Sequence, residues 1–119
     1  MTGQSVLVVD DERYIVDLLT DLLESEGYDV RRAYDGLAAL EEVAKAAPDL
    51  VITDVMMPRL DGLTLIRRLR QHNINLPIVL MSAAVTDPAQ LNVPFVAKPF
   101  DIDDLLAVVA RALNHTVDG

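Results

Sequence analysis

The chain contains no cysteine, and its only histidines are His72 and His115. The first absence excludes disulfides, Cys-ligated zinc, iron–sulfur clusters and a cysteine nucleophile. The second excludes a multi-histidine metal site. Positive charge is scarce: 10 Lys and Arg stand against 19 Asp and Glu, a net of −9. A surface this acidic repels phosphate backbones, so nucleic acid is a poor partner, while cations and basic proteins remain open. Long apolar runs are missing too. Leu76–Met81 is among the longest, and Pro77 already interrupts it, so nothing approaches a bilayer span. Met1 is not followed by a basic region and a long apolar stretch, so no signal peptide is expected. These absences predict a cytoplasmic domain with no membrane partner.

What the chain does hold is 119 residues, 51% of them hydrophobic. That is the size of one domain with a real core. Short apolar runs at Val6–Val9, Leu50–Ile52, Ile78–Met81 and Phe95–Ala97 predict buried parallel strands, and Asp29–Ala33 predicts a weaker edge strand. Between them lie stripes at helical spacing: Ile15, Leu18, Leu19, Leu22 and Leu23; Leu37, Leu40, Val43 and Ala44; Leu65, Ile66 and Leu69; and Ile102, Leu105, Leu106, Val109 and Leu113. Gly27 and Pro48 mark helix ends, and Asp101 can cap the last helix. This β-α alternation predicts an open, doubly wound parallel sheet covered on both faces. One crossover is short. Residues 82–94 hold Pro88 and Pro94, which leaves room for about one helical turn at most.

In such a sheet, ligands bind beyond the carboxyl ends of the strands. Asp10, Asp11 and Glu12 follow the first run, Asp54 the third, Ser82 the fourth and Lys98 the fifth. Acids where glycines would be needed exclude a phosphate-binding loop. Three carboxylates brought together repel unless a cation joins them, and an all-oxygen set with few protein ligands suits Mg²⁺. Each residue also has a plainer reading. Asp10-Asp11-Glu12 suits a helix N-terminus, Asp54 a turn, Ser82 a backbone-satisfied hydroxyl and Lys98 a surface charge. The joint placement at four strand ends favours a site. Pro58 and Gly62 shape the loop after Asp54 and start the third helix, with proline restricting φ and glycine allowing a turn, and Arg67, Arg68 and Arg70 read as a solvated basic face.

Four segments carry a family resemblance: Val8-Val9-Asp10-Asp11-Glu12, Asp54-Val55-Met56-Met57-Pro58-Arg59-Leu60-Asp61-Gly62, Met81-Ser82-Ala83 and Lys98-Pro99-Phe100. In this order they resemble the receiver domain of two-component response regulators, from about Ser5 to Leu113, with 114–119 a short tail. The resemblance implies a five-stranded flavodoxin-like sheet of order 2-1-3-4-5, its fourth helix here shortened or missing. It implies Asp54 as phosphoacceptor, and Mg²⁺ held by Asp10, Asp11, Asp54 and the Met56 backbone carbonyl. It implies Lys98 as the active-site cation, Ser82 and Phe95 as switch residues, and a cis Lys98–Pro99 bond. The partners implied are a histidine kinase or histidine phosphotransfer domain and a downstream protein or output domain. The domain would then catalyse only its own phosphorylation and dephosphorylation. Ser82 and Lys98 stand closer together than is usual in the family, so the family's common dimer is not carried over and the oligomeric state stays open. Met56 and Ala84, two beyond Asp54 and Ser82, are apolar and cannot orient a water, which predicts slow autodephosphorylation. Two other readings compete. One is a receiver-like docking or dimerisation domain independent of phosphate. The other, an aspartyl-phosphate phosphatase, is disfavoured because Met56 stands where that chemistry needs a second Asp.

Overall fold

The computed structural model describes residues 3–55, 57, 60–72, 75–82, 94–98 and 100–117, with side chains to Leu113. In chain order the elements are β1 (Ser5–Val9), α1 (Arg13–Ser25), β2 (Asp29–Ala33), α2 (Gly36–Lys45), β3 (Leu50–Asp54), α3 (Gly62–His72), β4 (Ile78–Ser82), β5 (Phe95–Ala97) and α4 (Ile102–Val117). The strands form one parallel sheet of order β2-β1-β3-β4-β5. The expected short crossover, residues 83–93, lies outside the described residues, as do Met56, Pro58, Ala84 and Pro99. No helix among the described residues is long and apolar enough to cross a membrane.

The central strands β3 and β4 are buried at every position, as their unbroken apolar runs require when helices cover both faces. On one face, Val8, Ile52 and Met81 pack against Ile15, Val16, Leu19 and Leu23 of α1 and Leu105, Val109 and Leu113 of α4. On the other, Leu7, Val51 and Leu80 pack against Ala39 of α2 and Leu65, Ile66 and Leu69 of α3. The strand residues alternate between the two clusters because a strand's side chains alternate between faces.

The helix ends follow their punctuation. Gly27 takes φ +93° after α1. Its N–H donates to the Glu24 carbonyl at 3.0 Å and that of Tyr28 to the Leu23 carbonyl at 3.1 Å, the paired bonds of a Schellman ending. Asp35 caps α2 through the Ala38 N–H at 2.8 Å. Asp101 caps α4 through the N–H groups of Asp103 and Asp104.

Three stripes differ from expectation. Leu18 and Ile102 are exposed, while Thr20 is buried on α1. The sheet-facing line of α1 runs through 15, 16, 19, 20 and 23, so Leu18 falls on its outer shoulder. Thr20 meets the cost of burial by donating its hydroxyl to the Val16 carbonyl at 2.7 Å. On α2 the buried positions belong to Ala39, in the cluster under the sheet, and to Gly36, against which Leu60 packs. Small residues there let the helix approach closely and turn Leu37 outward, with Leu40 and Val43 half-buried at the flank.

Candidate functional site

Asp54 is the last residue of β3 and Ser82 the last of β4, and Asp54 pairs in register with Met81. Asp10 follows β1, and Lys98 follows β5. Parallel order therefore delivers all four to one sheet edge, where sequence reasoning placed them. Backbone bonds fix the edge. The Asp10 N–H donates to the Ala33 carbonyl at 3.2 Å, the Val55 N–H to the Met81 carbonyl at 3.1 Å and the Lys98 N–H to the Ser82 carbonyl at 2.8 Å.

Asp10 and Asp54 are buried, whereas Asp11 is exposed. One carboxylate oxygen from each lies within 4.8 Å of the others. The Lys98 side chain, 11% exposed, points its Nζ at this group, 2.7 Å from Asp10 Oδ2 and 3.4 Å from Asp54 Oδ1. Its third neighbour is Glu12 Oε1 at 3.7 Å. Asp10 is spent on both sides, since its Oδ1 accepts the Glu12 N–H at 2.9 Å. Asp54 Oδ1 also accepts the Val55 N–H at 3.0 Å. The first acids do stand at the N-terminus of α1, but Glu12, its N-cap residue, makes no side-chain capping bond.

The electrostatics follow from crowding. Burial, and then the charge of Asp10, push the Asp54 carboxyl above the usual carboxylate range, against the pull of Lys98 and the Val55 N–H. For Lys98, burial alone would lower the ammonium's pKa. The hydrogen bond and charge of Asp10, joined by Asp54, outweigh it and leave Lys98 raised. Asp10, Glu12 and Asp54 face one ammonium, and Asp11 joins the carboxylate group, so negative charge remains in excess at a mostly buried edge. An all-oxygen donor set with surplus negative charge fits a hard divalent cation. It does not fit a soft-ligand metal, which would need sulfur or imidazole.

Ser82 is buried, and Phe95 is half-buried against the α2–α3 cluster. The parallel pairs Leu80↔Phe95 and Ser82↔Ala97 put Ser82 and Phe95 on the same face of the sheet. The arrangement thus places the expected switch pair on neighbouring strands. Met56 and Pro99 fall outside the described residues.

Two contributions were missed by sequence reasoning. The contact of Glu12 with Lys98 joins elements 86 positions apart and has no local signal. Gly62 starts α3 as expected, but the steric reason for a glycine there has no sequence signal. A Cβ there would overlap the Asp54 carbonyl oxygen and lie 2.9 Å from Val55 Cα. Its N–H donates to the Val55 carbonyl at 2.8 Å. The first residue of α3 is thereby seated on the backbone of Asp54, which only a residue without a side chain allows.

Comparison with known proteins agrees with this geometry. The family model described as "Response regulator receiver domain" matches residues 6–110. The response regulator MprA of Mycobacterium ulcerans (strain Agy99) is 41% identical over 117 residues, covering 93% of this chain and 50% of that protein. The chain thus spans about half the length of the mycobacterial regulators it matches. Among solved structures, the receiver domain of Francisella response regulator 1452 superposes with a TM-score of 0.88 at 32% identity, covering 96% of this chain and 99% of that one. The receiver domain of NtrX from Brucella abortus gives 0.84 at 36% identity, covering 92% and 98%.

Proposed function

Because this chain belongs to the response regulator receiver family, we propose that it accepts a phosphoryl group on Asp54 and thereby resets a partner-binding surface. The donor is a histidine kinase or histidine phosphotransfer domain, and the reader of the signal is a downstream protein or output domain. Both belong to two-component signalling in the cytoplasm. The observation that carries the reading is the buried Asp54 carboxylate facing Lys98 Nζ at 3.4 Å within the Asp10–Asp11–Asp54 group.

A carboxylate oxygen of Asp54 attacks phosphorus. The bond from phosphorus to the donor's imidazole nitrogen breaks, and an acyl phosphate forms. Transfer of this kind depends on positioning and on charge stabilisation more than on covalent help from the protein. Lys98 supplies a positive charge fixed by Asp10 and Glu12, so it need not be recruited as charge develops. Asp10, Asp11, Asp54 and the Met56 carbonyl would hold Mg²⁺, which when bound neutralises phosphoryl oxygens and lets one anion approach another. The Ser82 hydroxyl donates to a phosphoryl oxygen once it arrives. Phe95, on the same face, follows into the space that Ser82 leaves, so that a local charge change becomes a packing change. The protein acts on no substrate beyond its own aspartyl phosphate.

The test is incubation with a small acyl-phosphate donor, read by intact mass. One phosphate adduct is expected, dependent on Mg²⁺ and missing in Asp54→Asn. An adduct that persists in Asp54→Asn would overturn the assignment.

A further inference from the structure

A groove of about 960 Å³ runs between α2 and α3, and no residue of the acidic edge lines it. One wall is the outer flank of α2, where Leu40, Val43 and Ala44 stand at i, i+3 and i+4. This flank is only half-buried to exposed, because the buried positions of α2 are Gly36 and Ala39. The other wall is α3, where Thr64, Arg67, Arg68 and Gln71 stand at i, i+3, i+4 and i+7. That spacing covers about 10 Å at the helical rise, the length over which a helix lays down two turns of anchors.

The groove's charge opposes that of the chain. Arg67 and Arg68 are exposed on it, and no Asp or Glu lines it, although the chain carries −9. Arg68 makes no ion pair among the described residues, and Arg67 senses Asp61 without a bridge to it. Glu42 of α2 is paired with Arg31 at 3.2 Å and Lys45 at 3.1 Å. An apolar wall facing a cationic wall selects an occupant with an apolar ridge and an acidic flank. A nucleic acid offers charge without the ridge, and it meets an acidic molecule everywhere else.

We propose that the α2–α3 groove docks an acidic amphipathic helix of a partner protein. Docking there is independent of phosphorylation at Asp54, and neither proposal falls with the other.

The probes are two helix-favouring peptides of roughly 14 residues. Both carry Leu at i, i+3, i+4 and i+7; one is flanked by Glu, the other by Lys. Each is titrated into the ¹⁵N-labelled chain and followed by amide shifts. The expected result is saturable binding of the Glu peptide, with shifts on residues 40–47 and 64–72, at least about tenfold tighter than the Lys peptide. Binding should weaken with salt. The exposed pair Arg67→Glu/Arg68→Glu should retain the parent's melting temperature and reverse the preference; Arg68→Glu alone should shrink it. Equal affinity for both peptides, shifts elsewhere or no saturation overturns the proposal. Groove amides that shift with the protein's own concentration overturn it in favour of a second copy.

Discussion

Asp54 is held in the resting protein at a cost. Its carboxyl is raised by burial and by Asp10, so the folded state grips that proton more tightly than the unfolded chain does. Stability therefore falls as pH rises from the usual carboxylate value through the raised one, and the cost is fully present at neutral pH. Asp54→Asn removes it and is expected to stabilise the metal-free protein by about 1 kcal/mol, roughly 4 °C in melting midpoint. Melts from about pH 4 to about pH 8 should show the advantage of the variant growing with pH; a constant or reversed difference would refute the origin given. Lys98 is shifted in the same direction, but here the charged form is the one favoured, so at neutral pH it contributes stability instead of costing it. A raised ammonium contributes stability below the unfolded value, and that contribution disappears as pH climbs through the folded one. Lys98→Met leaves Asp10 buried without its cation, an expected loss of about 3–5 kcal/mol in urea unfolding. These four site residues were legible because each stands where an apolar run stops. The grip of Glu12 on Lys98 was not, since it depends on where two loops meet in space.

Elements were legible where period and punctuation agreed, as in α1 with Gly27 and α4 with Asp101. They were less so where small residues do the packing: α2 reads as a leucine stripe, yet its buried positions are Gly36 and Ala39. The same blindness hid Gly62, whose value lies in what a Cβ would strike. Gly62→Ala forces α3 off the Asp54 backbone. The expected cost is about 1–3 kcal/mol, together with slower phosphorylation of Asp54 by a small acyl-phosphate donor; unchanged labelling would show that the α3 seat does not orient the carboxylate. The edge strand carries a second such joint. Arg31 of β2 donates to the Ala46 carbonyl at 2.6 Å and also to the Glu42 carbonyl, ending α2 from outside the helix. Arg31→Lys keeps the charge but not the fork of donors. It should cost about 1 kcal/mol in denaturant unfolding, with amide exchange quickened at the end of α2 ahead of the rest.

Across the whole molecule, the site divides the sheet unequally. Asp10 is tied inward, to β2 through the Ala33 carbonyl and to α1 through the Glu12 N–H. Lys98 directly follows β5, a strand of three residues at the opposite edge. β5 is flanked by two backbone bonds, Leu80 N–H to the Pro94 carbonyl at 2.9 Å and Lys98 N–H to the Ser82 carbonyl at 2.8 Å. On the function proposed, a phosphoryl group on Asp54 would compete with Asp10 for Lys98 and recruit Ser82, so its pull would act on both sides of that last bond. The short, half-buried strand should give before β1 or β3, whose pairing is longer and buried. Amide shifts on adding a phosphoryl-mimicking fluoride with Mg²⁺ are therefore expected to run from Asp54 through Ser82 to Phe95 and Val96 and into the first turns of α4, leaving β2 and α2 quiet. The sequence could place Phe95 on a strand but could not say how lightly that strand is held, because its holding bonds are backbone bonds that any residues could make. Shifts confined to Asp54 and its immediate neighbours would mean that the charge change stays local, and the domain would then dock its partners in one conformation whether phosphorylated or not.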